Sequence, residues 1–247
     1  MRTLSDLHAY QKKAVNFQCS LPETALWVSM GLGKTVITLT SIQHLLTTGY
    51  LKAVLIVAPI RVCRLVWRQE ALKWQHTENM KFSMLVGTRD QRTRGLMQPA
   101  NIYLVNYENL GWLAESLQTY YVAKGRELPF DGIVFDEISK TKNSSTNRVK
   151  SLTKILKHFK WRTGLTGTPA SNGYKDLHGQ YLVLDDGNAL LQTDNVFSII
   201  SQPLCNVCLF AGTINPIEVA FRSLEALNEF FPVHAALTHR NAHDFSL

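Results

Sequence analysis

A chain of 247 residues, 45% of them hydrophobic, is long enough to bury one large core, or one core with a small appendage. Its longest apolar run, Ala53 to Ile60, contains Pro59 and falls far short of the ~20 residues that span a bilayer; the polar stretch Met1 to Phe17 lacks the apolar centre of a signal peptide, so a cytoplasmic globular protein is expected. The net charge of +7 is unevenly placed, with 24 Lys and Arg against 11 Asp and Glu in residues 1–175 but 2 against 8 in residues 176–247.

In chain order, residues 6 to 19 read as a helix capped by Ser5 or Asp6, with Leu7, Tyr10, Ala14 and Phe17 on its apolar side. Ala25 to Val28 suits a buried strand, and a helix opening at Thr35 carries Val36, Leu39, Ile42, Leu45 and Leu46 at helical spacing. Lys52 to Ala58 is a buried strand stopped by Pro59, and Arg61 to Trp74 is a helix anchored by Leu65, Leu72 and the tryptophans. There follow a short strand (Phe82 to Val86), a basic helix (Thr88 to Met97), a strand (Ile102 to Val105), a helix (Asn109 to Tyr121), a strand (Gly132 to Phe135), a helix (Ser145 to Phe159) and a strand (Arg162 to Leu165). Six or seven strands alternating with helices imply a parallel sheet covered on both faces, with ligands at the carboxyl ends of the strands. Beyond Asp186 only Ile217 to Phe231 shows a helical pattern, and residues 186–247 form a tail of unassigned fold.

Between the first strand and its helix lies Met30-Gly31-Leu32-Gly33-Lys34-Thr35. Glycines let backbone N–H groups approach an anion, and the helix N-terminus adds favourable partial charge. Lys34 would then neutralise outer phosphates, and the Thr35 hydroxyl would serve a magnesium ion, which takes oxygen ligands. The full P-loop pattern would place glycine where Val28 stands, so only the short form Gly-Leu-Gly-Lys-Thr is present, and a glycine turn with a surface lysine is the plain alternative. The second feature is Ile133 to Glu137, an apolar strand that delivers two acids to its carboxyl end. Asp136 is placed to hold magnesium and Glu137 to orient or deprotonate an attacking water. The third is the span from Ile138 to Lys175, with nine basic residues and no acid, which points to a polyanion partner rather than a sign-interleaved solvated face. Cys205 and Cys208 form one CxxC with no second pair or nearby His, and four cysteines in all suit a reducing compartment.

Read together, these stretches resemble the first RecA-like lobe of a superfamily 2 helicase, closest to Swi/Snf-like translocases of the kind found in phages. Leu7-His8-Ala9-Tyr10-Gln11 is similar to the adenine-reading Q motif and Met30 to Thr35 to motif I. Val57-Ala58-Pro59 with Trp67 and Glu70 resembles motif Ia, and Val105 to Leu110 resembles motif Ib. Asp136-Glu137-Ile138-Ser139 stands for the DExH-type box, and Leu165-Thr166-Gly167-Thr168-Pro169 for motif III. The resemblance implies a RecA-like P-loop three-layer sandwich over residues 1–185 and an ATP-dependent DNA translocase or helicase. It implies ATP and Mg2+ bound by His8, Gln11, Met30, Gly31, Leu32, Gly33, Lys34, Thr35 and Asp136, with Lys34, Asp136 and Glu137 catalytic and Thr166 and Thr168 coupling nucleotide to DNA. Arg61, Lys140, Lys142, Lys150, Lys154 and Lys157 are the candidate DNA contacts.

Ser29 and Ser139 depart from the family's acid and histidine. No motif V or VI and no Gly-Arg-x-x-Arg run follows Asp186, as in a truncated or frameshifted frame or an accessory segment, so a separate chain carrying the second RecA-like lobe is an expected partner. A P-loop NTPase with no nucleic-acid role and a non-catalytic ATP- and DNA-binding fragment are the rival readings.

Overall fold

The computed structural model describes residues 1–141, 147–168, 175–186 and 208–211. Seven strands, β1 (Glu23–Val28), β2 (Val54–Ala58), β3 (Phe82–Leu85), β4 (Ile102–Asn106), β5 (Gly132–Asp136), β6 (Trp161–Thr166) and β7 (Cys208–Ala211), form one sheet in the order β3-β4-β2-β5-β6-β1-β7. Every pairing in it is parallel. The helices are α1 (Ala9–Ser20), α2 (Lys34–Thr47), α3 (Ile60–Leu65), α4 (Trp67–Ala71), α5 (Arg89–Met97), α6 (Leu110–Tyr120), α7 (Asn147–Leu156) and α8 (Lys175–Asp185). Side chains alternate across each strand, so β2 sends Val54, Ile56 and Ala58 into a core shared with α1 to α4, and Leu55 and Val57 into a second core shared with α5 to α8. The result is the α/β sandwich of three layers that the alternation of elements predicts. Among the described residues no helix is long and apolar enough to cross a membrane.

Two expectations need correction. Helix α1 begins at Ala9, not at residue 6; a 3-10 turn, Leu4–Asp6, precedes it, and the Gln11 carboxamide accepts the His8 N–H at 3.0 Å to close its first turn. Its buried face is Gln11, Ala14, Val15 and Gln18, because both glutamine amides find partners inside. The expected helix from Arg61 to Trp74 is broken at Val66 into α3 and α4, and Leu65 and Leu72 are 58% and 53% exposed. The buried stripe is instead Cys63, Trp67, Ala71 and Trp74, at spacings of four, four and three.

Helix α8 was not read from the sequence, although Tyr181 and Leu184 stand three apart and are both buried. Strand β7 comes from the tail, where a four-residue apolar run has no period to betray it. Lys142, Pro169, the Ile217 to Phe231 helix and Cys205 lie outside the described residues.

Candidate nucleotide-binding and hydrolysis site

Strands β5, β6 and β1 are neighbours, so the three motifs that follow them emerge side by side. Register sets the levels: Asp136 pairs with Leu165, and Thr166 pairs with Trp27. The loop after β1 turns through Gly31 (φ 83°) and Gly33 (φ 80°), and a Cβ at Gly33 would collide with the Gln11 amide. Tyr10 donates its hydroxyl to the Leu32 carbonyl at 3.0 Å, and Gln11 Nε2 reaches the same oxygen at 3.4 Å, so α1 braces the loop. In this arrangement the Gln11 carboxamide faces the loop and the His8 amide.

Lys34 Nζ donates to the carbonyls of Val28 and Ser29 at 2.7 and 3.3 Å. Burial lowers the pKa of its ammonium, while the charges of Glu137 and Asp136 oppose that shift. The lysine therefore feels both acids across the site. Burial pushes the Asp136 carboxyl up from 3.8 to about 6; the Trp67 hydrogen bond and the Lys34 charge work against this, and the Glu137 charge works with it. The Asp136 Oδ2 atom accepts from the Trp67 indole at 2.9 Å.

Glu137 adopts φ 62°, in the left-handed region that costs a non-glycine residue free energy. The buried Tyr107 hydroxyl donates to the Asp136 carbonyl at 2.9 Å and lies 3.3 Å from that of Glu137, holding the bend. The turn aims the carboxylate at motif III: Glu137 Oε1 accepts from Thr166 Oγ1 at 2.7 Å and from Ser139 Oγ at 2.9 Å. Thr166 Oγ1 in turn accepts the Thr168 N–H at 3.1 Å. Gly167 runs past the loop, with its virtual Cβ 3.5 Å from the Met30 nitrogen. Ser139 and Thr166 thus share one oxygen of that carboxylate.

Magnesium fits the chemistry of the donors present, a threonine hydroxyl at Thr35 and the carboxylate of Asp136, both oxygen. The hydroxyl contacts of Tyr10 and Tyr107 span 22 and 29 residues, which no local pattern reveals.

The candidate DNA contacts do not gather on one face. Lys140, Lys150, Lys154 and Lys157 are exposed on and around the α7 side of the sheet. Arg61 is exposed on α3, in the opposite layer, together with Arg64 and Arg68; their spacing of three and four was the signal for this row.

A phosphate-shaped loop, a strand-end acid pair and a hydroxyl-bearing turn on three adjacent parallel strands define a RecA-like P-loop lobe. Comparison with known proteins narrows this class. The SNF2-related domain matches residues 10–198, and the chain belongs to that family. It is 35% identical over 197 residues to protein p41 of Acyrthosiphon pisum secondary endosymbiont phage 1, covering 76% of this chain and 41% of that protein. It is 29% identical over 182 residues to the DNA excision repair protein ERCC-6-like of Bos taurus, covering 70% of this chain and 14% of the relative. The Sulfolobus solfataricus SWI2/SNF2 ATPase core in complex with dsDNA shares its fold, with a TM-score of 0.63 and 23% identity over 83% of this chain and 44% of that one. The chain thus spans less than half the length of these relatives.

Proposed function

We propose that residues 1–185 form the ATP-binding lobe of a DNA-dependent ATPase of the translocase type, working on DNA in the cytoplasm of a bacterium or a phage-infected host. The observation that carries this reading is the convergence of Lys34, Asp136, Glu137 and Thr166 at the carboxyl ends of β1, β5 and β6. ATP phosphates would sit in the Met30 to Thr35 loop, drawing Lys34 Nζ away from the Val28 and Ser29 carbonyls it now serves. Thr35 and Asp136 would hold Mg2+, which neutralises charge on the transferred phosphoryl group. Glu137, fixed through Oε1 by Thr166 and Ser139, would orient the water and take its proton. Because Thr166 also binds the Thr168 amide, movement of motif III would displace the base, which gives DNA a route to the chemistry.

The DNA partner is supported by the basic span and by the family; phosphate contacts by lysines imply strong salt dependence and little sequence preference. Hydrolysis at full rate would need an arginine from a second RecA-like lobe, in trans or elsewhere in a longer protein. The test is ATP hydrolysis by the chain mixed with such a lobe, with and without duplex DNA, against Glu137→Gln. DNA-stimulated turnover that Glu137→Gln abolishes is the expected result. ATP and DNA binding without turnover in the mixture would favour a non-catalytic fragment, and turnover indifferent to DNA would favour a P-loop NTPase of another kind.

A further inference from the structure

Trp67 is fully buried in the core between the sheet and α1 to α4, 69 residues from Asp136 in sequence, yet its indole N–H is committed to that carboxylate at 2.9 Å. Alternation explains why the two meet. On β5, Ile133 and Phe135 face the α5 to α8 core and Val134 faces the other, so Asp136, two residues on, points toward the layer that contains α4. The break at Val66 starts a new helix at Trp67, in register with Cys63 and Ala71 on the buried stripe. Tryptophan carries a donor and no acceptor, so its buried N–H must find an oxygen, and a carboxylate is a strong acceptor. A carboxylate held through one oxygen by a rigid, packed ring cannot rotate freely about its last bond. Loss of a group that orients a metal-binding residue in this way typically costs roughly 10- to 100-fold in metal affinity.

We infer that Trp67 is a positioning residue for the magnesium-binding carboxylate, holding Asp136 by Oδ2 so that its other oxygen faces the phosphate loop. This rests on the nucleotide-site reading above. It assigns to α4 a share in metal binding.

The experiment titrates ATP into the full chain with EDTA and again with saturating Mg2+, for the parent and for Trp67→Phe, which keeps an aromatic ring and removes the donor. Metal-free affinity should stay within about twofold, while the gain on adding Mg2+ should fall by about 10- to 100-fold. An equal loss with and without metal would make Trp67 an ordinary core residue, and an unchanged gain would overturn the proposal outright. A parent chain with no Mg2+-dependent ATP binding would instead fail the nucleotide-site reading, and the proposal with it. Should Trp67→Phe not fold, the side-chain indole resonances of the five tryptophans in 15N-labelled parent protein decide the matter. The one moved by Asp136→Ala should also move when Mg2+ is added to the ATP-bound chain; no such resonance, or one that ignores Mg2+, overturns the assignment.

Discussion

The nucleotide end and the basic face of this molecule use charge in opposite ways. At the nucleotide end each charged group is part-buried and tied to a named partner: Lys34 to two carbonyls, Asp136 to Trp67, Glu137 to Thr166 and Ser139. On the basic face Lys140, Lys150, Lys154 and Lys157 are exposed. Groups held by geometry act one at a time and through specific steps, because low dielectric and fixed partners make each contact strong. Exposed lysines act as a summed field that salt screens and that no single substitution removes.

The largest effect that sharpens this contrast is the one expected from an arginine supplied to the nucleotide end by a second RecA-like lobe. A partner arginine is worth on the order of a thousandfold to a hundred-thousandfold in rate, or ~4 to 7 kcal/mol of barrier. The 247-residue chain alone is therefore expected to bind ATP and turn it over near background, and a second lobe added in trans to restore hydrolysis. Release of labelled phosphate measures this, and robust DNA-stimulated turnover by the chain alone would show that its arginine comes from the tail or from a second copy.

Next in size is a pH effect on stability. The folded Asp136 holds its proton to about pH 6, whereas the unfolded carboxyl releases it near 3.8. The folded state thus binds more protons in that window, and stability falls as pH rises through it, leaving the full penalty above pH 6. Asp136→Asn should therefore stabilise the metal-free chain at pH 7.5 by up to about 3 kcal/mol, with the gain shrinking toward pH 5. Urea unfolding in EDTA across pH 5 to 8 reads this; a gain that is flat with pH would assign the charge penalty elsewhere.

Loss of a charge-assisted phosphate contact in Lys34→Ala should cost about 1.5 to 3 kcal/mol of ATP affinity, roughly ten- to a hundredfold, while Glu137→Gln binds within about twofold. Calorimetric titration separates the two, and an unchanged Lys34→Ala affinity would remove the phosphate-loop assignment.

The smallest effects belong to the basic face. Changing any one of Lys150, Lys154 and Lys157 to Ala should alter DNA affinity only slightly. Changing all three should flatten the slope of log affinity against log salt by at most about three units. A single lysine that accounted for the whole change would erase the contrast between the two regions.

The same contrast separates what was legible in the chain from what was not. Strand and helix alternation, the buried runs at Val54 to Ala58 and Ile133 to Phe135, and the glycine turn before Lys34 depend on local periodicity and backbone freedom, and these are written in consecutive residues. The buried stripe of the Arg61 to Trp74 stretch was not readable, because two leucines at 65 and 72 competed with Cys63, Trp67, Ala71 and Trp74, and only the position of the sheet chooses between them. Gln11 stood out only through the family resemblance and Gln18 not at all, and both are buried because Leu32, Thr38 and Thr163 supply partners from distant elements. The family motifs placed Asp136 and Glu137 at a strand end. That Trp67, Tyr107, Ser139 and Thr166 hold them there follows from the sheet order, which sets β2 and β4 on one side of β5 and β6 on the other, and from the left-handed turn at Glu137. Local sequence determined most of the elements and the residue types at the site. The partner that each buried polar group takes was decided by tertiary packing, because a hydrogen bond excluded from water is strong only where the fold brings donor and acceptor to within about 3 Å.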